Sequence, residues 1–128
     1  MTICFMPYVH DANLDIWTFP PAARADPDAF ELSVSSANGA DLLLAMGLAP
    51  EPDGLMPIDA FGGLLSAALR RHLDQRSPEL PVCEDAQPGK ITLIYLGRPE
   101  GYIEQRLGEL MRMVQTCRAA GATHFGWG

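Results

Sequence analysis

The sequence predicts a single α+β domain spanning residues 1–128, with about three helices packed on one face of a small mixed or antiparallel sheet. Three observations carry that expectation. Phe30, Leu32 and Val34 alternate with Glu31, Ser33 and Ser35, the period of a half-buried strand. Three separate stretches place apolar residues at helical spacing, and no repeat or shift of composition marks a second domain. A chain of 128 residues buries roughly two thirds of its unfolded surface, enough for a core without metals or disulfides.

Taken in order, residues 1–9 are apolar, lack a basic leader and are broken by Pro7, so they read as a first strand and not as a signal peptide. Residues 10–13 read as a turn, and Leu14, Ile16, Trp17 and Phe19 as a short extended piece stopped by Pro20 and Pro21. Residues 22–29 carry little apolar weight and read as a surface connection. The alternating strand then runs into a helix. Ser35 or Ser36 supplies its N-cap, Asp41 is expected early enough to interact with the helix dipole, Leu42, Leu43 and Met46 form its buried stripe, and Gly47 ends it.

Residues 49–57 contain three prolines and read as an irregular loop. Asp59 is the expected N-cap of a second helix, in which Phe61, Leu64, Leu65, Ala68, Leu69, His72 and Leu73 repeat at helical spacing. Residues 77–89 are the most loop-like segment. Residues 90–96 form an apolar, β-branched run expected in a central strand. The longest helix carries Ile103, Leu107, Leu110, Met111, Val114, Cys117 and Ala120 on one face and stops at Gly121. Thr123, Phe125 and Trp127 alternate as a final strand, expected at a sheet edge.

Composition narrows function more than motifs do. The balance of 9 basic against 16 acidic residues gives a net charge of −7, which repels a phosphate backbone and anionic lipid, so neither nucleic acid nor a membrane is expected as partner. The apolar runs are too short to cross a bilayer. Cys4, Cys83 and Cys117 are odd in number and widely spaced, which suits a reducing, cytoplasmic compartment. No pair of His, Cys or acidic residues has metal-ligand spacing and no glycine-rich phosphate loop occurs, so no metal or cofactor is expected.

The strand Glu31-Leu-Ser-Val-Ser-Ser-Ala-Asn38, the run Leu42-Leu-Leu-Ala-Met-Gly-Leu48, Ile58-Asp59, and the late helix with Gly121 and Trp127-Gly128 resemble a group of small bacterial proteins of unknown function. The resemblance covers most of the chain. It implies one domain and carries no activity.

Two functional readings follow. The first is a non-enzymatic binding module, meeting a protein partner or a second copy of itself. Ser35, Ser36 and Asn38 at the helix start suit an anion, Gly62 and Gly63 suit a ligand lying close to a helix backbone, and Trp127 is the interface candidate. The alternative is a small hydrolase-like enzyme. Ser35 at a strand-to-helix turn would be the nucleophile, with His72 or His124 as base and Asp59 or Asp85 as the acid behind it.

Overall fold

A computed structural model describes residues 2–73, 76–80, 83–85, 93–95 and 98–128. The fold is mixed α+β, with four helices and a five-stranded antiparallel sheet among the described residues. Its spine is β1 (Thr2–Asp11). Along one edge β1 meets β3 (Leu32–Ser35) through Thr2 to Phe5, and β2 (Ile16–Thr18) through Val9 to Asp11. Along the other it meets β7 (His124–Trp127), which in turn pairs with β4 (Gly54–Pro57). The final strand is therefore interior to the sheet, correcting the expectation of an edge.

Proline placement explains how β1 serves two partners on one edge. Cys4 exchanges both backbone hydrogen bonds with Gly128, so the N–H groups of even-numbered residues point toward β7 and those of odd-numbered residues toward β3 and β2. Pro7 lies between the two pairings on the odd-numbered edge, where its missing N–H leaves no donor without a partner. The chain between β2 and β3 bulges out there as α1 (Pro21–Ala25) and a 3₁₀ turn (Pro27–Phe30). Residues 22–29, expected as plain connection, thus carry helical structure.

Alternation along the strands then sorts the core. Ile3, Phe5 and Pro7 on β1, Val34 on β3, and Phe125 and Trp127 on β7 are buried on the face covered by α2 (Ser36–Ala45), α3 (Ile58–Arg71) and α4 (Tyr102–Ala119). Phe61 of α3 is fully buried among three rings, its centroid 4.7 Å from Phe125, 6.1 Å from Trp127 and 6.3 Å from Phe5. The α4 stripe buries Ile103, Leu107, Leu110, Val114 and Cys117 against the same cluster. Burial pushes the Cys117 thiol up to about 11, which leaves it protonated and inert at neutral pH.

Helix ends follow local chemistry with two corrections. Ser35 Oγ accepts the Asn38 N–H at 3.3 Å and starts α2, and Gly47, at φ +81°, ends it with the Leu48 N–H bonded to the Leu43 carbonyl. Arg71 Nη2 donates to the Ala45 carbonyl at that same end, 2.8 Å away. Asp41 lies beyond the first turn, too deep to meet the dipole, and instead accepts from Arg98 Nη1 at 2.7 Å. Asp59 does not cap α3: Pro57 holds the N-cap position, and Asp59 in the first turn pairs with Arg118 at 3.1 Å.

Three further expectations shift. The supposed loop at residues 49–57 ends in β4, whose Leu55 and Met56 pair with Gly126 and Phe125. Of the apolar run at residues 90–96, expected in a central strand, the described part is β6 (Leu93–Tyr95), which pairs with β5 (Cys83–Asp85) in a two-stranded ribbon apart from the main sheet; residues 90–92 and 96 lie outside the described residues. The segment at 77–89, expected as loop, contributes β5, and its residues 81–82 and 86–89 lie outside the described residues.

Candidate functional site

The helix-start residues do not assemble a catalytic site. Ser35 Oγ accepts from the Asn38 backbone, and among the described residues neither His72 nor His124 reaches it by a hydrogen bond. Ser36 is the first residue of α2. The Asn38 side chain is occupied: its amide donates to the Tyr102 hydroxyl at 3.4 Å, and its carbonyl oxygen accepts from Arg98 at 3.3 Å. Arg98, Asp41 and Tyr102 thus tie the start of α2 to the start of α4.

His72 sits at the C-cap of α3, its Nδ1 2.9 Å from Glu104 Oε1. Glu104 also accepts from the Ser77 amide and hydroxyl, each at 2.8 Å, and Ser77 Oγ accepts the Ile103 N–H at 3.2 Å. Burial raises the Glu104 carboxyl, but hydrogen bonds from its own backbone, from Ser77 and from His72 outweigh it and hold the group below its ordinary value. The carboxylate stands between serine and histidine, where it cannot serve a serine activated by histidine. The arrangement is a clamp that caps α4 and holds the end of α3.

Gly62 and Gly63 do line a cavity. A groove of about 450 Å³ runs between α3 and α4 past both glycines, with Met111 and Gln115 opposite and the Asp59–Arg118 pair bordering it. A Cβ on Gly62 would make ordinary contact with Val114 at 3.5 Å, and one on Gly63 would meet nothing within 4 Å. Neither glycine is demanded by packing. Gly63→Ala is therefore expected to stabilise the protein by about 0.5–1 kcal/mol, read as a rise in the midpoint of urea unfolding. A fall in the midpoint would show a constraint that the helix packing does not contain.

Trp127, the expected interface residue, is a core side chain, 8% exposed, with Nε1 donating to the Glu51 carbonyl at 3.2 Å. The exposed aromatics lie on the opposite side of the sheet. Register places Tyr8 and His124, and His10 and Trp17, as cross-strand neighbours on the face away from the three long helices. Trp17 packs between the two imidazoles at 4.6 Å from each, and Phe19 stacks on Tyr8 at 5.4 Å. Trp17 is 46% exposed, Leu55 43% and Phe19 41%. Asp15, at φ +50°, bonds His10 Nε2 at 3.0 Å from the hairpin turn. Burial, and after it the neighbouring Cys4, raise the Tyr8 hydroxyl above its ordinary value, so it stays protonated.

A second cavity, of about 290 Å³, opens at the break in the sheet edge beside Pro7. Its apolar walls include Met6, Phe19, Ala23 and Phe30, and its charged lining residues are Arg24 and Glu31. Sequence reasoning passed over Ala23 and Arg24 because residues 22–29 look like plain connection, and it read Phe19, Phe30 and Glu31 only as strand residues. The available signal was Pro7, a missing donor inside a strand. Among the described residues no three His, Cys, Asp or Glu side chains come together as a metal site, and no helix is long and apolar enough to cross a membrane. Compared with protein-family models, curated proteins and solved structures, the chain matches none.

Proposed function

We propose that the chain is a non-catalytic binding module that docks a protein partner on the sheet face opposite the three long helices. The observation that supports this most is the exposed aromatic set on that face, Trp17 between His10 and His124 with Phe19 and Leu55 alongside. Buried aromatic anchors dominate binding energy where partners meet, and a polar rim excludes water around them. Here the exposed carboxylate of Asp15 is bonded to His10 within the set, in a chain of net charge −7. The fitting partner carries an apolar centre and a basic rim, which would also speed encounter by electrostatic steering.

A photo-crosslinking amino acid in place of Trp17 tests this in the native host, against the same group in place of exposed Gln105 on α4. A defined adduct from position 17 and none from 105, lost when Leu55→Glu is added, supports the reading. An adduct containing a second copy of the chain identifies that partner as itself. Equal labelling from both positions, or none from 17, overturns it.

A further inference from the structure

The cavity at the break in the sheet edge shares Phe19 with the proposed docking face but adds two charged side chains, Arg24 and Glu31. We infer that it binds a free α-amino acid with an apolar side chain, that side chain seated among Met6, Phe19 and Phe30 and its charged end held between Arg24 and Glu31.

Size comes first. A volume of about 290 Å³ is at the small end for ligand sites and holds roughly ten non-hydrogen atoms, at about 30 Å³ each as in liquid water. That suits an amino acid the size of leucine, methionine or phenylalanine. The walls are two aromatic rings, a methionine, Ala23 and proline, surfaces that accept an aliphatic or aromatic side chain and offer it no hydrogen bonds.

Charge then selects the class. Arg24 and Glu31 line the same cavity yet do not pair with each other, and among the described residues Arg24 forms no ion pair at all. Among the described residues Glu31 Oε1 accepts only the Ser33 hydroxyl, at 3.0 Å, and Ser33 Oγ in turn meets Cys4 Sγ at 3.1 Å. The carboxylate is thus steadied from the sheet side and keeps lone pairs for a further donor. A simple carboxylate would meet Arg24 but be repelled by Glu31, and a simple amine would have the opposite difficulty. A zwitterion satisfies both, its carboxylate on the guanidinium and its ammonium on Glu31. Arg24 is exposed, so solvent screening keeps the affinity modest and leaves the contrast between ligands as the decisive reading.

Titration calorimetry of the full chain with L-phenylalanine, L-leucine and L-methionine tests the assignment, alongside 3-phenylpropionate and phenethylamine, which each lack one charge. The expected result is saturable binding of at least one of the three amino acids and about tenfold or greater weakening for both single-charge analogues. Arg24→Gln and Glu31→Gln, both at surface positions whose folding circular dichroism can verify, are each expected to weaken the amino acid by a similar factor. No heat with any of the three amino acids at millimolar concentration overturns the proposal. So does binding of 3-phenylpropionate as tight as that of L-phenylalanine, or charge variants that bind like the parent. Neither variant touches Trp17, so the outcome is separate from that of the crosslinking experiment.

Discussion

Phe61→Ala is expected to destabilise the protein by about 3–5 kcal/mol, the range for truncating a fully buried phenylalanine. The ring is the one that α3 lays on the shared face of β1 and β7, among Phe5, Phe125 and Trp127. Those neighbours belong to paired strands whose spacing is set by backbone hydrogen bonds, so they cannot close over the space left behind. With total stability of such domains at roughly 5–15 kcal/mol, much of the folded margin goes. Urea unfolding followed by circular dichroism measures it. Leu44→Ala, on a side chain that is 56% exposed, is the matched control and should cost no more than about 0.5 kcal/mol. Similar losses for the two would mean that the aromatic cluster is not where the stability resides.

Gly54→Ala is the second large effect, and it comes from too little space. Gly54 faces Trp127 across the β4–β7 pair, and a Cβ there would fall inside the indole ring, against Cζ2 and Cε2. The ring has no easy retreat: its N–H is held by the Glu51 carbonyl, and its faces meet Phe5 and Phe61. One added methyl should cost about 1–3 kcal/mol, as overpacking of a tight core does. The clash lies on the six-membered half of the indole, so it can be isolated. In Trp127→Phe, which lacks the fused ring, Gly54→Ala should cost distinctly less, a coupling of about 1 kcal/mol in a double-mutant cycle. Additive losses would show that the glycine serves β4 in some way unconnected with the tryptophan.

Much of the fold was legible because local chemistry and packing agree. The alternation from Leu32 to Ser35, the Ser35 cap, the Gly47 stop and the apolar stripe of α4 all reappear in the structure, while Phe30, read as the first strand residue, ends the 3₁₀ turn instead. Readings that depended on distant partners went astray. Nothing near Asp41 or Asp59 reveals that Arg98 and Arg118 would claim them. The run Leu93–Tyr95 has the composition of a central strand, yet composition cannot say that Cys83–Asp85 pairs with it outside the main sheet. Site residues were harder still. Arg24 and Glu31 acquire meaning only because a break in the pairing of β1 leaves a cavity between α1, the 3₁₀ turn and Phe19, and a break in pairing is a property of three strands at once.

The interior place of β7 sets the timetable of folding. β1 must join a strand almost the whole chain away: His10 and Thr123, which bond to each other, are 113 residues apart. Closing so long a loop has to precede the contacts that reward it, which puts this fold among domains that fold in milliseconds to seconds and not microseconds. On the ribosome, at about 5–20 residues per second, β1 emerges many seconds before its central neighbour exists. Through that interval the even-numbered edge of Thr2–Asp11 offers a row of open backbone groups to any other chain, and Pro7, whose missing N–H lies on the opposite edge toward β3 and β2, leaves that row intact.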